Sequence, residues 1–221
     1  MKILLFIAVT GSLMLGAIGF AEVERDALIG ASGGDASRFS EALLSSGYQP
    51  RPCNSAAEPH DRELTALMSA IATVEAYARP WPERMIKDQL ALSLVALRLP
   101  VPDWSLGSGE IRLSTAEKAT RAFGSNDVKP EEHRGNLVRL LVNSCSNFAI
   151  GKQVLRYIAA TRGVDLARLN QASISAIAAD YNGQKTVGSL PEQASKLFYK
   201  DAVYHLFYSF LFSPNVLALE Q

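Results

Sequence analysis

The chain has 221 residues, 48% of them apolar, and its 22 basic residues balance 22 acidic ones. That balance excludes the one-sided basic field of a nucleic-acid binder, and the apolar fraction is enough for a sizeable core. The length fits one domain, with or without an extension.

Lys2 is followed by ILLFIAVTGSLMLGAIGF, Ile3 to Phe20, with no charge before Glu22. This reads as a secretory signal over residues 1–21, with Gly19 and Ala21 as the small residues at a cleavage site. The run also approaches the length that spans a bilayer, so an uncleaved anchor through residues 3–20 is the alternative. Both place the body of the protein outside the cytoplasm, periplasmic or secreted after cleavage, or anchored in the inner membrane. No cysteine lies near the junction, so a lipid-modified cysteine is not expected. Cys53 and Cys145 are the only cysteines. In an oxidising compartment a disulfide between them is the simplest reading, worth on the order of 4 kcal/mol in the loop-entropy model.

Residues 22–54 are rich in Gly, Ser and Ala and read as a flexible leader, with one short helix in SRFSEALLS, Ser37 to Ser45. GASGG within it lacks the GK[ST] of a phosphate loop. The body, 55–221, is predicted to be all-α. A first helix runs from about Asp61 to Ala78, before Pro80 and Pro82. A second, about Glu83 to Leu99, is apolar on most sides near its end and is expected to be central. The turn-rich PVPDWSLGSGE follows, and STAE, Ser114 to Glu117, has capping-box spacing for a short third helix. Phe123 to Gly135 reads as a connection with a turn of helix.

One long helix is then predicted over Leu137, Leu140, Leu141, Phe148, Leu155 and Ile158, ending near Gly163. Another spans about Leu166 to Tyr181. The last, about Pro191 to Phe212, is loaded with aromatics that read as core; Lys196, Lys200, Asp201 and His205 argue against a membrane span there. No strand pattern is convincing.

Glu75 is the anomaly. It lies four residues after Ile71 and seven after Met68, on an apolar helical face. A carboxyl against apolar walls is desolvated, the condition that suits a general acid near neutral pH. Taken alone it reads better as a helix-edge residue, or as one paired with Arg79 four residues later.

Three segments in order change that balance: VEAYARP with Glu75, SLGSGEIRLSTA (Ser105 to Ala116), and AIAADYNG (Ala176 to Gly183). Together they resemble the lysozyme-like lytic transglycosylases and goose-type lysozymes. There a glutamate ends a helix, a Ser-x-Gly segment running to Thr-Ala lines the cleft, and a Tyr-Asn-Gly segment follows a long helix. The resemblance covers about Leu64 to Gly183, and it implies a lysozyme-like helical domain with Glu75 as acid and then base. It implies that Tyr181 reaches the acid or the adjacent sugar, that Asn182 shapes the turn or contacts glycan, and that Ser105, Gly107 and Ile111 line the cleft.

This chain departs from the pattern at Glu110, where the family usually has Gln, and in the longer spacing between Glu75 and the glycine-rich segment. Glu110 reads as a second acid near Glu75, or as an exposed loop residue near Arg112; Asp103, Glu83 and Asp88 are weaker second-acid candidates. Tyr77, Trp81 and Trp104 flank the proposed cleft as sugar-stacking candidates, with core packing as their alternative. His60, His133 and His205 have no metal-ligand spacing, so neither metal nor cofactor is expected.

The resulting expectation is an exported monomeric enzyme cutting the β-1,4 bonds between N-acetylmuramic acid and N-acetylglucosamine in peptidoglycan strands. The alternative is a catalytically silent lysozyme-like glycan-binding or scaffold protein. A membrane-tethered helical protein whose aromatic last helix docks a partner is a third reading.

Overall fold

The computed structural model describes residues 35–45, 62–78, 81–123, 130–182 and 190–212. The segment expected to be a signal or anchor, Cys53 and His60 lie outside them. The fold is all-α, with one small hairpin. In chain order the elements are α1 (Ala36–Ser45), α2 (Arg62–Ala78), α3 (Trp81–Ala96), β1 (Ser105–Leu106), β2 (Ile111–Arg112) and α4 (Leu113–Phe123). There follow α5 (Pro130–Val142), α6 (Ser144–Arg162), a 3₁₀ turn (Leu166–Arg168), α7 (Gln171–Tyr181) and α8 (Leu190–Leu211).

The central helix is α2. Leu67, Met68, Ala70 and Ile71 are fully buried, and Thr65, Ser69 and Thr73 are buried beside them, so the helix is enclosed on nearly every side. It packs against α8 on one flank and α6 on another. The expectation that the second helix is central is therefore corrected. Among the α3 residues whose burial is described, only Ala91 is fully buried, while Ile86 and Leu90 are exposed, because the main packing of α3 is against α5 and the hairpin.

The leader segment contributes to the core. In α1, Phe39 and Leu43 are buried against α8, and the Phe39 ring meets those of Tyr77 and Phe198 edge-on at 5.2 and 5.0 Å. The short helix expected within the leader segment is thus present over Ala36–Ser45 and packed.

The single long helix expected around Asn143 is two helices. Asn143 is extended (φ −79°, ψ 121°) and its side chain accepts from the Ser146 N–H, a capping geometry that ends α5 and restarts the chain as α6. Apolar periodicity continues across the break, which is why the pattern reads as one helix. The break puts Asn147 in the first turn of α6. α5 itself begins at Pro130, a residue suited to a first helical position, inside the stretch read as a connection.

The third helix opens at Leu113, and its cap comes from outside the STAE motif. The Asp103 carboxylate accepts from the Ser114 N–H (2.8 Å) and the Ser114 hydroxyl (2.9 Å). Asp103 is thereby accounted for as a cap. The helix expected from Leu166 is a 3₁₀ turn followed by α7, which starts in a reciprocal capping box between Asn170 and Ser173. A two-point pair from Arg162 to Asp180 joins the end of α6 to the end of α7. No helix among the described residues is long and apolar enough to cross a membrane.

Candidate active site around Glu75

Glu75 is on α2 and 5% exposed. Its Oε1 accepts a 2.8 Å hydrogen bond from the Tyr199 hydroxyl of α8, itself a buried residue. The enclosed middle of α2 brings Glu75 inside with its apolar neighbours, and a phenol from the packed helix α8 supplies a donor.

The glycine-rich segment forms the hairpin. Ser105 pairs with Arg112 and Leu106 with Ile111, and the Glu110 N–H closes the turn on the Gly107 carbonyl at 3.1 Å. Gly107 has φ +71°, and a Cβ there would lie 2.0 Å from the Leu141 carbonyl oxygen, so only glycine fits. Its N–H donates to Asp88 Oδ1 of α3 at 3.0 Å.

Asn147, fully buried, ties this hairpin to the helices. Its Nδ2 donates to the carbonyls of Leu106 (3.0 Å) and Leu141 (2.8 Å), and its Oδ1 accepts from the Gly109 N–H (2.8 Å) and the Ser108 hydroxyl (3.3 Å). The Tyr181 hydroxyl donates to the Gly109 carbonyl at 2.9 Å from the end of α7. Burial pushes the Tyr181 phenol well above its ordinary range, and the charges of Glu75 and Glu110 push it the same way. Tyr181 therefore stands within the field of both carboxyl groups and remains a neutral donor.

Glu110 is buried, with the left-handed φ of +48°, and its Oε2 accepts from Lys87 Nζ of α3 at 2.7 Å. The reading of an exposed loop residue near Arg112 is corrected: its cationic partner is Lys87. A non-glycine residue in this backbone region costs about 1–2 kcal/mol. Asp88, next along α3, is partly buried, and burial pushes its carboxyl above the ordinary range against the opposing Gly107 hydrogen bond and the Lys87 and Arg84 charges.

The other sequence candidates fall into two groups. Ser105 is half-buried in β1, Gly107 is in the turn, and Asn182 caps α7 with its N–H on Ala178 O. Ile111 is 1% exposed and belongs to the core, so it presents no side chain to a cleft. Tyr77 packs against Phe39, and half-buried Trp104 packs against the core. Trp81 opens α3, with its side chain outside the described set. Cys145 is disulfide-bonded, and the chain's other cysteine, Cys53, lies outside the described residues. His133 Nε2 lies 3.2 Å from Thr120 Oγ1, and the His205 ring is edge-on to Tyr204. No metal-holding group of three His, Cys, Asp or Glu residues occurs among the described residues.

Sequence reading missed Lys87, Asn147 and Tyr199, and it gave Asp88 only as a weaker second-acid candidate. Lys87 and Asp88 carry no motif, and Asn147 looks like a polar interruption of an apolar helix. Tyr199 is hidden in an aromatic run that reads as packing. The phenol at Glu75 is Tyr199, whereas the Tyr181 hydroxyl goes to the hairpin backbone.

Two expectations follow from this geometry. Tyr181→Phe leaves the buried Gly109 carbonyl without its phenolic donor, so thermal unfolding should show a loss of about 1–3 kcal/mol. Asp88→Asn keeps an acceptor for Gly107 and removes a carboxyl whose ionised form the fold disfavours. Because the folded pKa lies above the unfolded one, Asp88 costs stability at pH values above its folded pKa. That cost fades as pH falls through the folded value toward 3.8, its unshifted value. Denaturant titrations should find the variant more stable than its parent at pH 7, with the difference shrinking toward pH 4.

The fold and this cluster define an all-α protein in which a helix-borne carboxylate, two tyrosines and a glycine-rich hairpin meet. Comparison with protein-family models, curated proteins and solved structures gives no match.

Proposed function

We propose that this chain is an exported enzyme of the lysozyme-like class that cleaves β-1,4 bonds between N-acetylmuramic acid and N-acetylglucosamine in peptidoglycan. The observation that carries the reading is the meeting of three segments far apart in sequence. Glu75 on α2, the Gly107–Glu110 turn and Tyr181 on α7 converge, with both carboxyl groups felt at one phenol.

In this reading Glu75 protonates the glycosidic oxygen as the bond from C1 breaks, leaving an oxocarbenium-like centre. The ionised Glu75 then takes a proton from the attacking hydroxyl. If that hydroxyl is the sugar's own, the product is an anhydro ring and one protein carboxyl suffices. If it is water, the product is a reducing end. Tyr199 orients the Glu75 carboxyl through its hydrogen bond. Lys87 neutralises Glu110, which favours a structural role for Glu110 at the turn over that of a second acid. The Tyr181 hydroxyl holds the turn beside the acid. Ser105, Asn182, Trp81 and Trp104 are the remaining candidates for glycan contact, and no cofactor takes part in this reading.

One observation favours a second reading. Glu75 is only 5% exposed, which suits a lysozyme-like glycan-binding or scaffold protein of the cell envelope that no longer turns over substrate. The test is incubation of purified protein with cell-wall sacculi and mass spectrometry of what is released. Muropeptides with anhydro or reducing ends support the enzyme. Sedimentation with sacculi and no soluble product supports the scaffold.

A further inference from the structure

A cavity of about 740 Å³ lies between the end of α3, the loop after it and α5, and none of its lining residues belongs to the Glu75 cluster. Its walls are of two kinds. Val95, Leu99 and Val101 form an apolar side, and Arg98, Arg134 and Arg139 bring three guanidinium groups to it.

The three arginines are not equivalent. Arg134 is committed, with Nη1 2.7 Å from Glu117 Oε1 and Nη2 donating to the Val101 carbonyl at 3.1 Å. That anchoring holds it in the wall. Among the described residues Arg98 and Arg139 have no carboxylate partner; Arg139 makes one long bond, 3.5 Å, to Asn136 Oδ1. Two exposed cations thus border an apolar recess.

The backbone of Arg98 is a second, independent observation. The Arg98 N–H bonds to Val95 O (3.1 Å) and the Leu99 N–H to Leu94 O (2.9 Å), the paired closure that ends a helix through one left-handed residue. Arg98 is that residue, with φ +55°. Glycine adopts this conformation freely, whereas any side chain is strained in it. A strained arginine at the rim of a cavity points from the backbone to a use for the side chain.

We propose that this cavity binds an organic anion. A carboxylate or phosphate oxyanion is held by Arg98 and Arg139, and its apolar body lies against Val95, Leu99 and Val101. Planar guanidinium forks hold such oxyanions through paired hydrogen bonds. The volume falls in the range of small-ligand sites, about 300–1,000 Å³. An oxyanion alone would leave the apolar wall wet, and an apolar molecule alone would leave both cations without a counter-charge. An amphipathic anion satisfies both.

The test is titration of the full chain with 4-phenylbutyrate, followed by the arginine side-chain N–H signals in NMR. 4-Phenylbutanol serves as the uncharged control and inorganic phosphate as the control without an apolar body. A parallel titration with 4-phenylbutyl phosphate tells a carboxylate preference from a phosphate one. At least one of the two amphipathic anions should bind about tenfold or more tighter than either control. Arg98→Gly should weaken that binding about tenfold without lowering the thermal midpoint, because glycine suits the left-handed position. Arg139→Lys, which keeps the charge and loses the fork, should weaken it as well.

The absence of saturable shifts from both amphipathic anions up to about 10 mM, well above the millimolar affinity of a weak site, overturns the proposal. Binding equal to that of either control, or undiminished binding by Arg98→Gly, does the same.

Discussion

Glu75→Gln is expected to abolish the release of muropeptides from sacculi, lowering the rate by about 10²–10⁴-fold, while the protein stays folded. Glutamine has nearly the shape of glutamate, and its carbonyl oxygen can accept the Tyr199 hydrogen bond that Glu75 Oε1 accepts at 2.8 Å. The packing of α2 against α8 is then retained, and circular dichroism and thermal unfolding should stay close to the parent. What glutamine lacks is a proton to deliver to a leaving oxygen and a carboxylate to take one back. Full activity in the variant would sink the assignment of Glu75 as the acid. If parent and variant both bind sacculi and neither releases product, the scaffold reading gains.

Asn147→Ala is expected to be the most destabilising single change near the site, at about 4 kcal/mol. Asn147 is fully buried, and its amide satisfies the Gly109 N–H and the Leu106 and Leu141 carbonyls while accepting from Ser108. Alanine leaves those backbone groups without their partners where little water can reach them, and each such group costs about 1–3 kcal/mol. The turn that Asn147 holds also carries Glu110 and the carbonyl that Tyr181 binds. The loss should therefore appear in chemical denaturation as a lower midpoint, with Gly107–Glu110 amides losing hydrogen-exchange protection before the rest of the core.

Much of the architecture is legible in the residues. The prolines after Ala78, the apolar spacing along α2 and the aromatic run of α8 identify the helices because they are local signals. The same locality explains the errors. Apolar spacing runs unbroken through Asn143, so the end of α5 is visible only in the extended backbone of that residue and its capping bond to Ser146. The apolar end of α3 resembles a core helix, yet few elements pack on it, and exposure follows from neighbours rather than from composition. Ser114 has a cap's spacing, but Asp103, eleven residues earlier, takes the role.

The candidate site divides in the same way. Glu75 stands out in the sequence because a charge on an apolar face is a local contradiction, and Gly107 because a glycine-rich turn has its own composition. Tyr199, Lys87 and Asn147 give no such sign, since a tyrosine among aromatics, a lysine on a helix and an asparagine after a cap are each ordinary.

By itself, then, the sequence determined an all-α chain, an acid set on the apolar face of a helix and a glycine-rich turn. Only the tertiary structure decided that Tyr199 donates to Glu75, that Lys87 neutralises Glu110 and that Tyr181 holds the turn. The physical reason is range. Helix periodicity and turn chemistry act over a few residues, whereas these partners lie far apart along the chain and meet only once α2, α3, α7 and α8 have packed.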